Sequence, residues 1–216
     1  MRYELIIFDW DGTLMNSVPK IVSCMHAAAA DVRWPPLEDS AIENIIGLGL
    51  PEAIATLCPG ISPEQAERLR QRYSHHFVSG DTTPMPFFNG VEEQLAKLRQ
   101  RPRQRLAVAT GKSRRGLDRV FRETDSGQWF DASRTADETR SKPHPQMLLE
   151  LLAELNTPVE RAVMVGDTEY DLEMARAIGM DRVGVTYGVH SAERLAACQP
   201  VWMADDIPAL FEWLHG

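Results

Sequence analysis

Near the start of the chain, Asp9 and Asp11 flank Trp10, directly after the apolar run Leu5-Ile6-Ile7-Phe8 and before Gly12-Thr13. The run is short, β-branched at its centre and bounded by turn residues, which predicts a buried strand. Side chains two apart on an extended chain point the same way, so both carboxylates can be presented just past the strand's end. Such a pair repels unless a cation or a shared proton lies between them. The same residues also suit an Asx-turn that closes a strand, with Asp11-Gly12 as the turn.

Two more polar clusters stand where apolar runs stop, and a lysine stands just ahead of a helix. Thr110-Gly111-Lys112 follows "RLAVAT", Asp167-Thr168 with Asp171 follows "VMVG", and Lys142 lies in "SKPHP", ahead of a helix opening at Pro143. Each alone is explained by a cap, a turn or a solvated lysine. Together they sit where open parallel sheets bind ligands, beyond the strands' carboxyl ends.

The elements that must position them alternate in type. Beyond Pro86, helical patterns at Gly90–Arg101, Ser113–Glu123, Pro143–Leu155, Asp171–Ile178 and Ile207–Leu214 alternate with strands. The strands are expected at Arg105–Thr110, in Trp129-Phe130-Asp131, in "RAVMVGD", in "RVGVT" and at Val201–Met203. This order predicts an α/β fold, a Rossmann-like parallel sheet with helices on both faces. Between the first and second strands the chain turns all-helical. Ser17–Val32 is followed by Leu37–Ile46, by a short helix from Pro51, and by a long one opening at Ser62-Pro63 with Ser62 as N-cap. Residues 16–85 are thus expected to form an inserted all-α cap domain, with 1–15 and 86–216 as the core.

Composition narrows the function classes. A net charge of −8 in 216 residues argues against nucleic acid or acidic membranes as partners. The three cysteines, widely spaced, suggest free thiols in a reducing compartment, and no run is apolar enough to span a bilayer. The expectation is a cytoplasmic protein, monomeric or weakly dimeric. His75-His76 point apart on a helix and make a poor metal pair, and "GLGLP" lacks the third glycine of a dinucleotide fingerprint.

In the order Asp9-Trp10-Asp11-Gly12-Thr13, Thr110, Lys142 and Gly166-Asp167-Thr168-Glu169-Tyr170-Asp171, the chain resembles the haloacid dehalogenase superfamily of phosphohydrolases. The similar branch has a helical cap after the first motif, and within it the phosphoglycolate phosphatase subgroup. Asn16 departs from the aspartate common just before the Ser of this loop, which bears on loop support and not on chemistry. The resemblance implies a Mg²⁺-dependent phosphatase acting on a small phosphorylated metabolite. Asp9 would be the nucleophile that forms an aspartyl-phosphate, and Asp11 the general acid and then base. Thr110, with Gly111, would hold phosphoryl oxygens, and Lys142 would pair with nucleophile and phosphoryl group. The metal would lie on Asp9, the backbone carbonyl of Asp11 and Asp167, with Asp171 as further acidic support.

Two alternatives stand beside this one. A non-catalytic phosphometabolite-binding protein of this fold is expected to have lost Asp9, Asp11, Lys142 or Asp167, and all four are present. A phosphomutase of the β-phosphoglucomutase type shares every motif and differs only through its cap. From Trp34 to Glu67 the chain has no Lys, Arg or His, so a second phosphate lacks a cationic partner there. A substrate carboxylate is a milder case, with the N–H of Gly49, the helix start near Pro51 and Lys20 expected within reach.

Overall fold

The structure, a computed structural model, describes residues 3–216. Six parallel strands form one sheet: β1 (Leu5–Phe8), β2 (Arg105–Thr110), β3 (Ala132–Thr135), β4 (Ala162–Gly166), β5 (Asp181–Val185) and β6 (Trp202–Ala204), in the spatial order β3-β2-β1-β4-β5-β6. The central strand is β1, flanked by β2 and β4, and Phe8 pairs with Val108 on one side and Val165 on the other. That register places Asp9 one residue beyond Phe8, Thr110 two beyond Val108 and Asp167 two beyond Val165, so all three emerge at the same edge.

Alternation along the buried strands splits the core in two. Ile6, Phe8, Leu106, Val108, Val163 and Val165 face one side, toward α5 (Val91–Arg99), α6 (Arg114–Thr124) and α10 (Ile207–His215). Leu5, Ile7, Ala107, Ala109, Ala162 and Met164 face the other, toward α7 (Gln146–Glu154) and α8 (Glu169–Arg176). A shorter helix, α9 (Ala192–Ala197), covers β5. Polar residues cannot occupy such strands without unmet hydrogen bonds, which is why the polar side chains collect at the strand ends.

Between β1 and α5 lie α1 (Val18–Asp31), α2 (Asp39–Asn44), α3 (Leu50–Leu57), α4 (Pro63–His75) and a π-turn at His76–Gly80. They enclose their own apolar cluster, built on Met25, Ile42, Ile45, Ile54 and Leu69. Ser62 and Gln65 close a reciprocal capping box that fixes where α4 starts. Chain entry and exit are joined, since the Asn16 N–H donates to the Pro86 carbonyl at 2.8 Å. The Asn16 residue itself is exposed, outside the loop's interior.

Two expected elements move. Gly127–Trp129 is a 3₁₀ turn and the strand falls at Ala132–Thr135, because Trp129 and Phe130 turn into the core against Phe87, Phe121 and Trp10. The helix expected from Pro143 starts at Gln146. A Ser141–His144 turn and a cis Lys142-Pro143 bond precede it.

Trp10, between the two aspartates, is fully buried and meets Phe87, Phe121 and Phe130 edge-on at 5.6, 5.4 and 6.0 Å. With its indole driven inward, the residues on either side turn outward. Trp10→Ala is expected to lower the unfolding free energy in urea by about 3–5 kcal/mol, and Trp10→Phe by less. A loss under about 1 kcal/mol would show that the ring is not the anchor of this turn.

Candidate active site

Lys142 sits at the centre, fully buried, with Nζ donating to Asp9 Oδ1 at 2.7 Å and to Asp171 Oδ1 at 2.6 Å. Burial works against its charge, but the Asp171 and Asp9 carboxylates outweigh this and hold the ammonium above the ordinary lysine range. Asp171 Oδ2 accepts from the Thr168 N–H and hydroxyl, closing a capping box at the start of α8. Asp167 is fixed by the Thr13 hydroxyl at 2.7 Å and the Val189 N–H at 2.9 Å. Gly12 has φ +82°, and an added Cβ there would lie 2.2 Å from Asp167 Oδ2, so the first loop can approach Asp167 only as glycine.

Asp9, Asp167 and Asp171 each offer a carboxylate oxygen within 4.8 Å of the others. Burial first, and then the Asp171 charge, raise the Asp9 carboxyl well above its usual range and push Asp167 up to about 7. Lys142 supplies one positive charge against three carboxylates, so the fully ionised cluster carries surplus negative charge in a buried site. Asp9 Oδ2 is buried without a hydrogen-bond partner among the described residues. Both features fit a divalent cation held by hard oxygen ligands.

Asp11 is not part of that triad. Its Oδ1 accepts from the Ser17 hydroxyl at 2.5 Å and pairs with Lys112 Nζ at 2.9 Å. With this oxygen on Ser17 and Lys112, its carboxylate stands apart from the group formed by Asp9, Asp167 and Asp171. Thr110 is fully buried at the end of β2, and its Oγ1 accepts from the Lys112 N–H at 3.3 Å.

The helical insertion closes over this edge. The Gly47-Leu48 carbonyls press on Gly111 so closely that an added Cβ would lie 2.6 and 2.5 Å from them. Gly49 N–H donates to Ser141 Oγ at 2.8 Å, Tyr170 Oη donates to the Asn44 carbonyl at 2.8 Å, and Arg194 reaches Asn44 Oδ1 at 2.7 Å. Gly49 is therefore a closure contact here, its N–H already used, and not an open amide for a ligand. Lys20 is likewise spent: its Nζ donates to the Asp81 carbonyl at 2.8 Å where the insertion returns to the core.

Sequence reasoning missed Lys112 and Ser17, the two partners of Asp11. Their signal was present in Thr110-Gly111-Lys112 and in the Ser that follows Asn16, but nothing in spacing says that these side chains turn toward Asp11. The absence of cations expected from Trp34 to Glu67 also does not describe the space under the insertion. A cavity of about 320 Å³ between insertion and core is lined in part by Lys112, Arg70 and Arg119, all from outside that window.

A family model described as haloacid dehalogenase-like hydrolase matches residues 6–185. The chain is 34% identical over 205 residues to a protein of Dickeya dadantii named probable phosphatase IndB, covering 93% of this chain and 89% of that one. It is 29% identical over 217 residues to the phosphoglycolate phosphatase of Vibrio cholerae, covering 97% and 96%. Among solved structures, a haloacid dehalogenase-like hydrolase from Bacteroides fragilis shares the fold with a TM-score of 0.88 at 26% identity, covering 96% of this chain and 99% of that one.

The surplus carboxylate charge sets a pH dependence. Asp167 binds a proton more tightly folded, at about 7, than at its ordinary 3.8, so between those values the native state holds the extra proton. Stability of the metal-free protein therefore falls as pH rises from about 4 through 7. A divalent cation offsets that loss, so Mg²⁺ should raise Tm more at pH 8 than at pH 5, by differential scanning fluorimetry. Asp167→Asn should abolish the rise; an equal rise at both pH values, or one that survives in the variant, would place the cation elsewhere.

Proposed function

Because the chain belongs to the haloacid dehalogenase-like hydrolase family, we propose that it is a Mg²⁺-dependent phosphatase that hydrolyses a small phosphate monoester through an aspartyl-phosphate on Asp9. The observation that carries this reading is the state of Asp9, one oxygen held by Lys142 and the other buried and unpartnered at the mouth of the sheet. That second oxygen attacks phosphorus, the ester P–O bond breaks, and the leaving oxygen takes a proton from Asp11. Water then attacks the aspartyl-phosphate, giving its proton to Asp11, and inorganic phosphate and the Asp9 carboxylate are restored.

Each group near Asp9 has a use in this scheme. Lys142 neutralises charge on the nucleophile and on the phosphoryl oxygens, while the Thr110 hydroxyl and the Gly111 N–H hold the remaining oxygens. Asp9, Asp167 and the Asp11 carbonyl would hold Mg²⁺, with Asp171 behind them, and the ion supplies charge neutralisation when bound. Residues 16–85 act as the cap. The closure contacts at Asn44 and Gly49 exclude water during reaction and must part for substrate to enter.

The relatives' names favour a phosphatase over a mutase, and the complete set of Asp9, Asp11, Lys142 and Asp167 disfavours a binding-only protein. A comparison of one sugar as monophosphate and bisphosphate separates phosphatase from mutase, since preference for the bisphosphate or conversion between isomers would favour the mutase.

Asp9→Asn is expected to abolish turnover of p-nitrophenyl phosphate with the fold intact by circular dichroism, and undiminished turnover would remove Asp9 from the chemistry. Asp11→Asn is expected to lose roughly 10²–10⁴-fold on an alkyl phosphate. Its loss on the aryl ester should be smaller, because that leaving oxygen needs the proton less. Equal losses on both, with phosphorylation rate-limiting, would argue against an acid role for Asp11.

A further inference from the structure

The cavity beneath the insertion meets the catalytic edge at Asp11, Gly111 and Lys112, and its lining does not include Asp9, Lys142 or Asp167. It therefore lies on the side of the proton donor, where the departing alcohol of a phosphate ester must sit. Resting on the phosphatase reading above, we propose that this cavity is a leaving-group chamber for a phosphate monoester whose alcohol carries an apolar, ring-sized body, packed against the wall that the Tyr73 and Phe77 rings form together.

Size is the first argument. The chamber holds about 320 Å³, within the range of sites that enclose ring-bearing ligands, about 300–1,000 Å³. Glycolate, even at the ~30 Å³ that each water takes in the liquid, fills no more than about half of it. A small polar alcohol would leave the remaining apolar wall facing water.

The wall is the second argument. Met25, Ile45, Leu48 and Leu50 line it, together with the Tyr73 and Phe77 rings, whose centroids are 5.8 Å apart. Met25 and Ile45 are almost fully buried, yet they border this space. Apolar surface around an empty chamber is stabilised by an apolar occupant, at roughly 25 cal/mol per Å².

Charge is the third. The one lysine of the chamber, Lys112, is already paired with Asp11 and lies 4.9 Å from the centroid of the Phe77 ring. Arg70 is bound by both oxygens of Glu67, at 2.6 and 2.7 Å. Arg119, half-buried at the wall, makes no ion pair among the described residues, so a polar end of the alcohol has one cation to meet. The Tyr73 hydroxyl has no hydrogen-bond partner among the described residues. Burial, and then the nearby Asp11 charge, keep its phenol protonated, so it offers a donor to the ester near its scissile bond.

The test compares benzyl phosphate, ethyl phosphate and 2-phosphoglycolate with Mg²⁺ present, using the full chain. Benzyl and ethyl alcohols are of similar acidity, so the comparison reads binding of the body and not leaving-group reactivity. Benzyl phosphate is expected to exceed both others in kcat/KM by roughly 10- to 100-fold, mostly through KM. Phe77→Ala, with an unchanged melting curve, should cut the benzyl-to-ethyl ratio about tenfold and weaken benzylphosphonate binding by calorimetry. Ethyl phosphate or 2-phosphoglycolate turned over as well as the benzyl ester would overturn the chamber and leave the phosphatase reading standing. So would a benzyl-to-ethyl ratio unmoved by Phe77→Ala. No turnover of any ester, p-nitrophenyl phosphate included, would overturn both.

Discussion

The contact on which the rest of the molecule depends is the pair of hydrogen bonds from Lys142 to Asp9 and Asp171. All three groups are buried, and burying ions costs several kcal/mol each unless geometry and further hydrogen bonds compensate. The compensation is visible here: Asp171 is also held by Thr168, Asp167 by Thr13 and Val189. It is incomplete, because three carboxylates face one lysine and one Asp9 oxygen has no partner. Such a cluster is unfavourable for stability and useful for chemistry. It keeps a surplus of carboxylate charge in place that a divalent cation can neutralise.

The fold places that surplus with little freedom. Because β1 is the central strand, its end is flanked on both sides by the ends of β2 and β4. Trp10 is then clamped by three aromatic rings, which orients Asp9 and Asp11 without any contact between the two carboxylates. Asp9 turns to Lys142 and Asp11 turns to Ser17 and Lys112. One buried residue between two aspartates thus gives each a different environment, as the proposed nucleophile and proton carrier require.

Much of this was legible in the sequence, because the sheet's period and its edge rule act on single residues. The apolar runs marked the buried strands at Leu5–Phe8, Arg105–Thr110 and Ala162–Gly166, and their ends marked Asp9, Thr110 and Asp167. Where tertiary packing overrides local pattern, the reading slipped. "WFD" looks like a strand, yet Trp129 and Phe130 fill an aromatic cluster, and the edge strand is the more polar "ASRT". Lys20, Gly49 and Lys112 were beyond reach for one reason: each is used by a contact far along the chain. Asp81 holds Lys20, Ser141 holds Gly49, and Asp11 holds Lys112.

The place of the insertion ties it to Asp11. Asp11 is held by Ser17, the last residue before the first inserted helix, and by Lys112, which belongs to the core. Phe77, near the insertion's far end, covers Lys112 from above. The carboxylate is thus gripped from both parts of the chain, and the Phe77 ring packed against Lys112 limits water at the pair. In water an ion pair of this kind is worth little, whereas in a closed site it fixes geometry and charge. Asp11 is therefore held in its present setting by the packed insertion. A helical insertion at the end of β1 accordingly does more than cover the strand ends: it helps hold the Asp11 carboxylate in place.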